Sequence, residues 1–376
     1  MTPADVTAAL AARQDGYPSA GLSWLADQGL IRADAIRAML FASEDAAFDL
    51  YDLLVAVGRG DLAAGRLYEG HVDAMGLVRR LGTASQIARA DASAASGGLL
   101  GIWGADDPSA PARLERRAGG GATLSGRKTF ASGGAALAMA LVAAKDEDGR
   151  TRLVLLDQAT LAGRFDEGWW DPIGMAETRS DALDLSALDV GEDALVGAAG
   201  AYEGHPAFGA GAIRFVAVQT GGVLAVWDAM REHLRAAGRA DDPHQAARLA
   251  AALAEAEAAH AVSRQAFARL RPVIAWPPRS AHDPSDAEHE DGASFAADSA
   301  RLLVEACGHR VTDLAVRSVG CGGLMRRHPL SRRLTDLLVY LRQPAPDAAA
   351  DRLGRAVASG DHTPSFDRFA VPCRAR

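Results

Sequence analysis

The spacing of apolar residues changes twice along the chain, and this change limits the folds that the chain can adopt. In residues 1–95, for example in 32–57 and 62–81, apolar residues recur every three or four positions with charges between them, which predicts amphipathic helices. Residues 97–196 hold short runs rich in Gly, Thr, Val and Leu between turn signals, which predicts a small antiparallel β-domain. From Tyr202 onward the helical spacing returns. The sequence therefore predicts helices, then strands, then helices.

This pattern predicts an α+β fold with three domains. We expect an N-terminal helical domain in residues 1–96, a β-domain in residues 97–205 and a C-terminal helical bundle in residues 206–376. Residues 273–292, rich in Pro, Asp and Ser, are expected to form a flexible loop inside this bundle. One long predicted helix, residues 213–237, contains two consecutive glycines. Each costs about 1 kcal/mol relative to Ala, which predicts that another helix or a ligand approaches closely there.

Charge and cysteine content exclude several classes of protein. The chain has 40 Lys and Arg against 48 Asp and Glu, a net charge of −8, which argues against a nucleic-acid partner because phosphate neutralisation needs clustered basic residues. Its three cysteines are widely spaced and form no Cys-x-x-Cys motif, so neither a disulfide framework nor a metal site is expected. No signal peptide and no uninterrupted apolar stretch of about 18 residues is visible. We therefore expect a soluble cytoplasmic protein without a membrane partner.

One strand of the predicted β-domain has a composition that suits a flavin. The stretch LSGRKTFASGG, residues 124–134, places Phe130 and Ser132 on one face of a strand. An aromatic side chain can stack on the flat flavin ring, while a hydroxyl and backbone groups bind its polar atoms. A half-buried strand that ends in a glycine turn explains the same residues, so this stretch alone leaves both interpretations open.

Three segments of the sequence resemble characteristic segments of the acyl-CoA dehydrogenases. Residues 121–145, GATLSGRKTFASGGAALAMALVAAK, look like the family pattern dGyvLnGxKxwiTnG…Ad…lV. Residues 173–190, IGMAETRSDALDLSALDV, resemble its GmRxTxS…v.F.dV.V pattern. Residues 320–336, GCGGLMRRHPLSRRLTD, are similar to its GGxGyxxxxpxeRlxRD pattern. The resemblance implies that family's fold, with an N-terminal helical domain, a central antiparallel β-domain and a C-terminal four-helix bundle. It also implies a homodimer or homotetramer, because the family's flavin site spans subunits.

The resemblance implies an FAD cofactor and assigns some of its contacts to this chain. The family's aromatic–x–hydroxyl pair is kept as Phe130 and Ser132. In the strand before this pair the family's Thr is missing, which leaves Trp103 and backbone groups as the implied contacts there.

Further residues are candidates for contacts with the nucleotide part of FAD in a neighbouring subunit. The family commonly supplies an Arg, whose forked guanidinium can bind two phosphate oxygens. Arg239 fits this position by counting forward along the long helix, and Arg235 fits it by counting back from the next helix; a solvated surface Arg is the alternative for either. Gly320 and Gly322 stand where the family approaches the same nucleotide, unless they only end a helix.

The usual catalytic base of the family is missing. An acyl-CoA dehydrogenase removes a weakly acidic α-proton with a Glu that must lie within hydrogen-bond reach of it. The usual position of this Glu is Pro344, and the alternative position on the long helix is Ile213; neither residue takes a proton. Asp347, Asp106 and Glu69 are weaker candidates for the base, since a solvated or ion-paired carboxylate explains each of them more simply.

Glu69 belongs to a polar cluster in a segment with helical spacing. The segment Gly65–His71 also contains Arg66 and Tyr68, and at helical spacing Arg66 is a neighbour of Glu69. The cluster is therefore explained either by a salt bridge on a helix turn or by polar groups that face a substrate cavity.

Three functions are compatible with these residues. The first is FAD-dependent α,β-dehydrogenation of an acyl thioester or related activated acyl substrate, bound to CoA or to an acyl carrier, with a non-standard base and an electron-transfer partner. The second is a flavin-dependent monooxygenase of the same fold, which needs no base for an α-proton. The missing Glu favours this second function, whereas the His that some such enzymes carry is not evident near Gln343. The third is a non-catalytic protein that binds flavin or an acyl group.

Overall fold

The N-terminal helices begin where the sequence offers capping side chains. The structure, a computed structural model, describes residues 1–14, 19–41, 48–203, 207–274, 285–343 and 345–362, with the backbone alone for residues 207 and 285–293. The N-terminal helices are α1 (Pro3–Ala11), α2 (Ser19–Asp27), α3 (Ala33–Leu40), α4 (Leu50–Gly60), α5 (Leu62–Leu81) and α6 (Ala84–Ala95). Thr2 and Thr83 each form a capping box, and Asp49 and Asp61 accept hydrogen bonds from backbone N–H groups in the first turns of α4 and α5. These caps satisfy donors that a helix start leaves unpaired.

The strands form two sheets in the middle of the chain. Their bounds are β1 (Leu100–Trp103), β2 (Arg113–Arg116), β3 (Ala122–Ser125), β4 (Arg127–Ala131), β5 (Met139–Lys145), β6 (Thr151–Asp157), β7 (Phe165–Asp166), β8 (Asp181–Asp184), β9 (Leu188–Val190) and β10 (Leu195–Val196), with the short helix α7 (Gln158–Leu161) after β6. The larger sheet has the order β10-β6-β5-β2-β3-β9, with β1 also paired to β5. The smaller sheet has the order β4-β8-β7 and carries the candidate flavin strand β4.

The pairing in the larger sheet is mixed rather than wholly antiparallel. Most neighbouring strands are antiparallel, as predicted, but β1 and β2 each pair with β5 in parallel. Parallel neighbours need a long crossover between them, and the segments between β1 and β5 supply it. The expectation of a purely antiparallel domain is wrong in this detail, because the spacing of apolar residues does not reveal which distant strand becomes the neighbour.

The C-terminal helices pack around one buried helix. They are α8 (Ala207–Ala210), α9 (Ala212–Ala236), α10 (Pro243–Ile274), α11 (Ser285–Val319), α12 (Pro329–Tyr340) and α13 (Pro346–Ser359). Helix α9 packs against α4, α10, α11 and α12. The segment Phe208–Ala236 is long and apolar enough to cross a membrane, but 78% of its most apolar window is buried inside the fold. Such burial is typical of the core helix of a bundle.

Both ends of the segment predicted to be a loop, residues 273–292, are helical. Helix α10 extends to Ile274, and α11 begins at Ser285; residues 275–284 lie outside the described part of the chain. The prediction is therefore wrong for residues 273–274 and 285–292. The second of these stretches, SDAEHEDG, is rich in acidic residues. Acidic residues are favourable near the N-terminus of a helix, because its dipole is positive there.

The two glycines in α9 allow α4 to approach closely. A Cβ added to Gly221 would overlap the backbone of Val55 and Arg59 in α4. A Cβ on Gly222 would instead meet the side-chain ends of Leu62 and Leu337 at 3.0 and 3.1 Å. The close approach expected from the sequence is thus confirmed, and its partner is a helix.

Two of the segments that carry the family resemblance meet at α12. Gly174 lies so close to α12 that an added Cβ would overlap the backbone of Thr335. The next residue, Met175, donates its backbone N–H to Asp336 Oδ1 at 2.6 Å. These contacts fix the segment before β8 against α12 of the C-terminal bundle and so shape the space beside β4.

Candidate functional site

A pocket opens where β4, the segment before β8, α5 and the end of α12 meet. Its walls are formed by Arg66, Phe130, Ser132, Trp170, Met175, Thr178, Ser180, Val339, Tyr340 and Gln343. The rings of Phe130 and Trp170 and the hydroxyls of Ser132, Thr178 and Ser180 lie on the β side. Arg66 of α5 and Tyr340 of α12 lie on the helical side. The pocket therefore combines an apolar ring surface with polar groups from separate elements.

Phe130 provides the exposed ring of this pocket. Its side chain is 41% exposed, and its ring meets the rings of Trp169 and Trp170 edge-on at centroid distances of 5.0 and 5.8 Å. Its φ is +53°, where the register of β4 against β8 shifts. Bulky residues rarely adopt the left-handed region, and such strain is often kept at functional sites. Met175 in the same pocket also has a left-handed φ, of +59°.

A chain of hydroxyl groups runs behind the ring. Thr178 Oγ1 donates to the backbone O of Met175 at 2.8 Å, and Ser180 Oγ lies 2.8 Å from both Thr178 Oγ1 and Ser132 Oγ. Each hydroxyl has one hydrogen to donate. Because Thr178 uses its hydrogen on Met175, Ser180 donates to Thr178 and Ser132 donates to Ser180. Ser132 Oγ therefore offers lone pairs to a ligand N–H.

The helical side of the pocket contains a buried ion pair. Arg66 Nη1 donates to Glu69 Oε1 at 2.5 Å, and the Arg66 guanidinium lies 5.0 Å from the ring centroid of Phe215. Glu69 is fully buried, and its Oε2 has no hydrogen-bond partner among the described residues. Burial raises the pKa of Glu69 to about 7, against the opposing effect of the Arg66 charge.

The end of α12 brings an unpaired hydroxyl to the same pocket. The Tyr340 hydroxyl is buried without a hydrogen-bond partner in the described part of the chain, and burial raises its pKa well above the ordinary value. The backbone that follows is held firmly, because Gln219 Nε2 and Arg301 Nη1 both donate to the carbonyl of Gln343 at 2.7 Å. A buried hydroxyl without a partner costs free energy, so this one fits a ligand that is bound in the pocket.

The structure brings together two of the residues proposed for the flavin ring. Phe130 and Ser132 both line the pocket. Trp103 does not line it: the side chain is 2% exposed and its Nε1 donates to the carbonyl of Ser132 at 3.1 Å. Trp103 therefore supports the backbone of Ser132 from behind, and its side chain does not reach the pocket.

The residues proposed for a neighbouring subunit's nucleotide lie together at another surface. Arg235 and Arg239 are exposed near the end of α9, and Gly320 has a φ of +76°. With the Gln245 amide oriented to suit its neighbours, its oxygen accepts from Arg239 Nη2 at 2.7 Å and its nitrogen donates to Ser318 Oγ at 3.0 Å. A Cβ added to Gly320 or Gly322 would meet nothing within 4 Å, so this turn faces open space.

The candidate bases are mostly engaged elsewhere. Pro344 lies outside the described residues, and Ile213 is fully buried. Asp347 is 89% exposed and pairs with Arg342 at 2.7 Å, while Asp106 pairs with the buried Lys128 at 2.6 Å; neither acid lines the pocket. Glu69, directly behind Arg66, is the candidate that the structure brings nearest to it.

Residues of the polar cluster around Glu69 have different roles. His71 Nε2 lies 2.7 Å from the backbone O of Ile31, and its Nδ1 accepts from the N–H of Leu100 at 3.0 Å. Tyr68 donates to the backbone O of Leu30 at 2.8 Å. Burial lowers the pKa of His71 to about 4, so it is a neutral link between α5 and β1. Of this cluster, Arg66 alone lines the pocket.

Sequence reasoning missed several residues of the pocket. Thr178 and Ser180 lie inside a segment that resembles the family, but the spacing does not reveal that their hydroxyls form a hydrogen-bonded chain that ends at Ser132. Trp170 was also missed, although two adjacent tryptophans before Asp171-Pro172 form an unusual aromatic turn that could have indicated it. Tyr340 directly follows the apolar stretch of α12, which made it resemble an ordinary core residue.

Comparison with known proteins identifies the fold. No protein-family model matches the sequence, and no curated protein matches it. TdsC from Paenibacillus sp. A11-2 in complex with FMN and indole is 18% identical, with a TM-score of 0.80 over 96% of this chain and 97% of that chain; another structure of TdsC names it a dibenzothiophene monooxygenase. The methanesulfinate monooxygenase MsuC from Pseudomonas fluorescens is 17% identical, with a TM-score of 0.76 over 97% and 98% of the two chains.

A dehydrogenase structure has the same architecture. The butyryl-CoA dehydrogenase from Megasphaera elsdenii is 16% identical, with a TM-score of 0.76 over 95% of this chain and 96% of that chain. The chain therefore has the acyl-CoA dehydrogenase fold, with helical N-terminal and C-terminal regions around a central sheet. The fold expected from the three sequence segments is confirmed; the domain boundaries at residues 96 and 205 stay predictions.

Proposed function

We propose that this chain binds a flavin in the pocket of Phe130 and Ser132 and acts as a flavin-dependent monooxygenase. The observation that carries the proposal is the wall of this pocket: it holds an exposed aromatic ring, a hydroxyl that offers lone pairs, and Tyr340, whose buried hydroxyl has no partner among the described residues. A flat ring with polar atoms along one edge matches these groups. TdsC, which has the same fold, was crystallised with FMN.

The residues of this chain would bind and orient the flavin. The Phe130 ring would pack on it, Ser132 Oγ would accept a hydrogen bond from a flavin N–H, and Trp170 would exclude water from one side. A bound flavin supplies two-electron chemistry: in its reduced form it reacts with oxygen, and the sum of the reaction is reduced flavin, oxygen and substrate giving oxidised flavin, oxygenated substrate and water. This stoichiometry requires a source of reduced flavin, which a separate flavin reductase would supply.

The residues at the family's two base positions favour oxygenation over dehydrogenation. Removal of an α-proton needs a base beside the substrate, and these positions hold Pro344 and Ile213. Ile213 is buried in α9, and Asp347 and Asp106 are ion-paired away from the pocket. TdsC and MsuC, which share the fold, are named as monooxygenases.

Dehydrogenation of an acyl thioester is the second candidate, and Glu69 is the observation that favours it. Its pKa of about 7 suits a general base at neutral pH, and one of its oxygens is unpaired. Glu69 lies behind Arg66, however, so it can reach a substrate only if the Arg66 side chain moves. This second function predicts that Glu69→Gln abolishes reduction of the flavin by substrate.

Two assays on the purified full chain separate these functions. In the presence of reduced flavin and isotopically labelled oxygen, we expect the label to enter the product of an aromatic probe such as indole, the compound bound in TdsC. Without oxygen, we expect butyryl-CoA to leave the absorbance of the bound oxidised flavin unchanged. Bleaching by butyryl-CoA would establish the dehydrogenase instead. If the chain takes up no flavin, both enzymatic functions are excluded and the non-catalytic function remains.

The surface around Arg239 bears on which flavin is used. The isoalloxazine ring and one phosphate are common to FMN and FAD, and only FAD carries a further nucleotide that can reach an Arg of a second subunit. The position of Arg239 beside the Gly320 turn therefore favours FAD and a homodimer or homotetramer. We predict that Arg239→Gln weakens FAD binding about tenfold, because it removes one charge-assisted contact. FMN binding should be unchanged. Arg235→Gln tests the other candidate, and Arg355→Gln on α13 is the control.

A further inference from the structure

A second cavity lies apart from the Phe130 pocket and shares no lining residue with it. It is a groove of about 220 Å³ between α4, α9 and the segment that leads into α12. Its walls are formed by Gln14, Gly58, Arg59, Gly60, Leu62, Gly222, Ala225, Arg326, Arg327, His328, Pro329, Arg332, Arg333 and Asp336. This volume is many times the roughly 10–15 Å³ that a single water needs, so the groove has room for a small polyatomic group.

The charges around this groove are unbalanced. Its lining includes five arginines and a single carboxylate, Asp336, which is already occupied by the N–H of Met175 and by Arg332. Arg59 donates to Asp228 at 2.7 and 2.9 Å, but Arg231 donates to the same carboxylate at 3.1 Å. Two guanidinium groups thus share one acid there. The groove therefore carries more positive than negative charge.

Two guanidinium nitrogens beside the groove are buried without an acceptor. Arg333 Nη1 and Arg332 Nη2 have no hydrogen-bond partner among the described residues. The nearest carboxylate oxygens to Arg332 Nη2, from Glu177 and Asp61, lie at 3.6 and 3.7 Å. A buried donor without an acceptor costs about 1–3 kcal/mol. Donors left unpaired beside a cavity indicate a ligand that is rich in acceptor oxygens.

Exposed arginines stand at the mouth of the groove. Arg326 and Arg327 are exposed, and neither forms an ion pair with a described residue. Together with Arg333 they present three guanidinium forks on one short segment at the start of α12. Guanidinium forks bind phosphate oxygens in pairs, and several of them favour a doubly charged anion over a carboxylate.

We propose that this groove binds the phosphoryl group of a small organic phosphate, held by Arg326, Arg327 and Arg333. The phosphoryl group belongs either to a separate phosphate ester or to a flavin phosphate presented by a second copy of the chain. Both sources share the chemistry by which the groove recognises them. The site is independent of which reaction the Phe130 pocket performs.

The test is a calorimetric titration of the flavin-free full chain with inorganic pyrophosphate at constant ionic strength. We expect saturable binding and a higher melting temperature at saturation, because a ligand that binds only the folded state stabilises it. Arg333→Met should weaken binding about tenfold, the loss of one charge-assisted contact. Arg355→Gln, an exposed and ion-paired residue on α13, should leave it unchanged. Absence of saturable binding, or equal binding by wild type and Arg333→Met, overturns the proposal.

A second variant guards against a folding defect and distinguishes the two sources. Arg326→Gln/Arg327→Gln changes exposed side chains alone, and we expect it to weaken pyrophosphate binding with an unchanged melting temperature in the absence of ligand. If the same variant weakens the binding of FMN but not of riboflavin, the phosphoryl group is that of the flavin. If the double variant binds both FMN and riboflavin as the wild type does, the ligand of the groove is a separate phosphate ester. Unaltered pyrophosphate binding by this variant would contradict the site.

Discussion

At the scale of single residues, the candidate flavin pocket depends on a backbone conformation that its main ring disfavours. Phe130 has a φ of +53°, in a region that Gly adopts without steric cost. We predict that Phe130→Gly is more stable than Phe130→Ala by about 1 kcal/mol, the reverse of the usual order of these two residues. Denaturant unfolding of both variants measures this difference. Equal stabilities would show that the left-handed conformation is not retained.

The raised pKa of Glu69 should make the free energy of unfolding depend on pH. Its pKa is about 7 in the folded chain against an ordinary value of 4.5, so between these values the folded chain holds a proton that the unfolded chain has lost. The stabilisation is complete below about pH 4.5 and is lost as the pH rises through 7. Relative to Glu69→Gln, the free energy of unfolding of the wild type should therefore fall by about 2–3 kcal/mol between pH 5 and pH 8.

The control for this effect is an exposed carboxylate. Asp347 is solvated and paired with Arg342 at the surface, so Asp347→Asn should change the free energy of unfolding by less than about 1 kcal/mol at either pH. His71 titrates with the opposite sign, since its lowered pKa removes stability as the pH falls below 6.5 towards 4. Its effect is present in wild type and variant alike and cancels. A difference between wild type and Glu69→Gln that does not vary with pH would contradict the buried position of Glu69.

Only part of this pocket could be predicted residue by residue. The prediction that Phe130 and Ser132 act together is consistent with the structure, since both line the pocket. Regular strand alternation is not the reason, because β4 ends at Ala131 and Phe130 has a left-handed φ. Sequence reasoning could not show that Trp103 turns into the core to donate to Ser132, because the face that a short strand buries depends on distant partners. It also could not show that Arg66 stands between Glu69 and the pocket, since that order depends on side-chain directions around α5.

At the scale of elements, the contact between α4 and α9 is the one most sensitive to a single methyl group. Gly221 faces the α4 backbone, which cannot move aside, whereas Gly222 faces flexible leucine ends. We predict that Gly221→Ala lowers the free energy of unfolding by about 3 kcal/mol or more, as overpacking against a rigid neighbour does. Gly222→Ala is the matched control and should be close to neutral, because gained helix propensity of about 1 kcal/mol offsets crowding.

Thermal or denaturant unfolding of these two variants checks the helix contact. Similar effects for both glycines would mean that α9 does not pack against α4 as described. The glycine pair itself was readable from the sequence as a close approach. Its partner was not, because α4 lies more than 150 residues earlier in the chain and local spacing carries no information about it.

Other elements show the same division between local and distant information. Apolar spacing predicted where most helices lie, since this signal acts within a few residues. The parallel pairing of β1 with β5 and the helical residues 285–292 were not predicted. Both features depend on residues that are distant in the sequence or on the rest of the helix. The composition of a short segment contains no information about either.

At the scale of the whole molecule, the fold is indicated by segments along the whole chain, whereas the function depends on a few side chains at one pocket. Three short segments sufficed to predict an acyl-CoA dehydrogenase fold, because they occur in the right order around a β-domain and between helices. The reaction depends on a few side chains at one pocket, and the residues at the usual base positions, Pro344 and Ile213, do not supply the family's chemistry. The choice between oxygenation and dehydrogenation therefore depends on the pocket itself.

The most direct test of this account is a flavin titration of the purified full chain, followed by the absorbance of the flavin. We predict saturable binding of one flavin per chain, weakened at least tenfold in Phe130→Ala because the ring that packs on the flavin is removed. Phe41→Ala, which truncates another exposed phenylalanine at the end of α3, should bind like the wild type. If Phe130→Ala and the wild type bind flavin equally well, or if neither binds it, the pocket is not a flavin site.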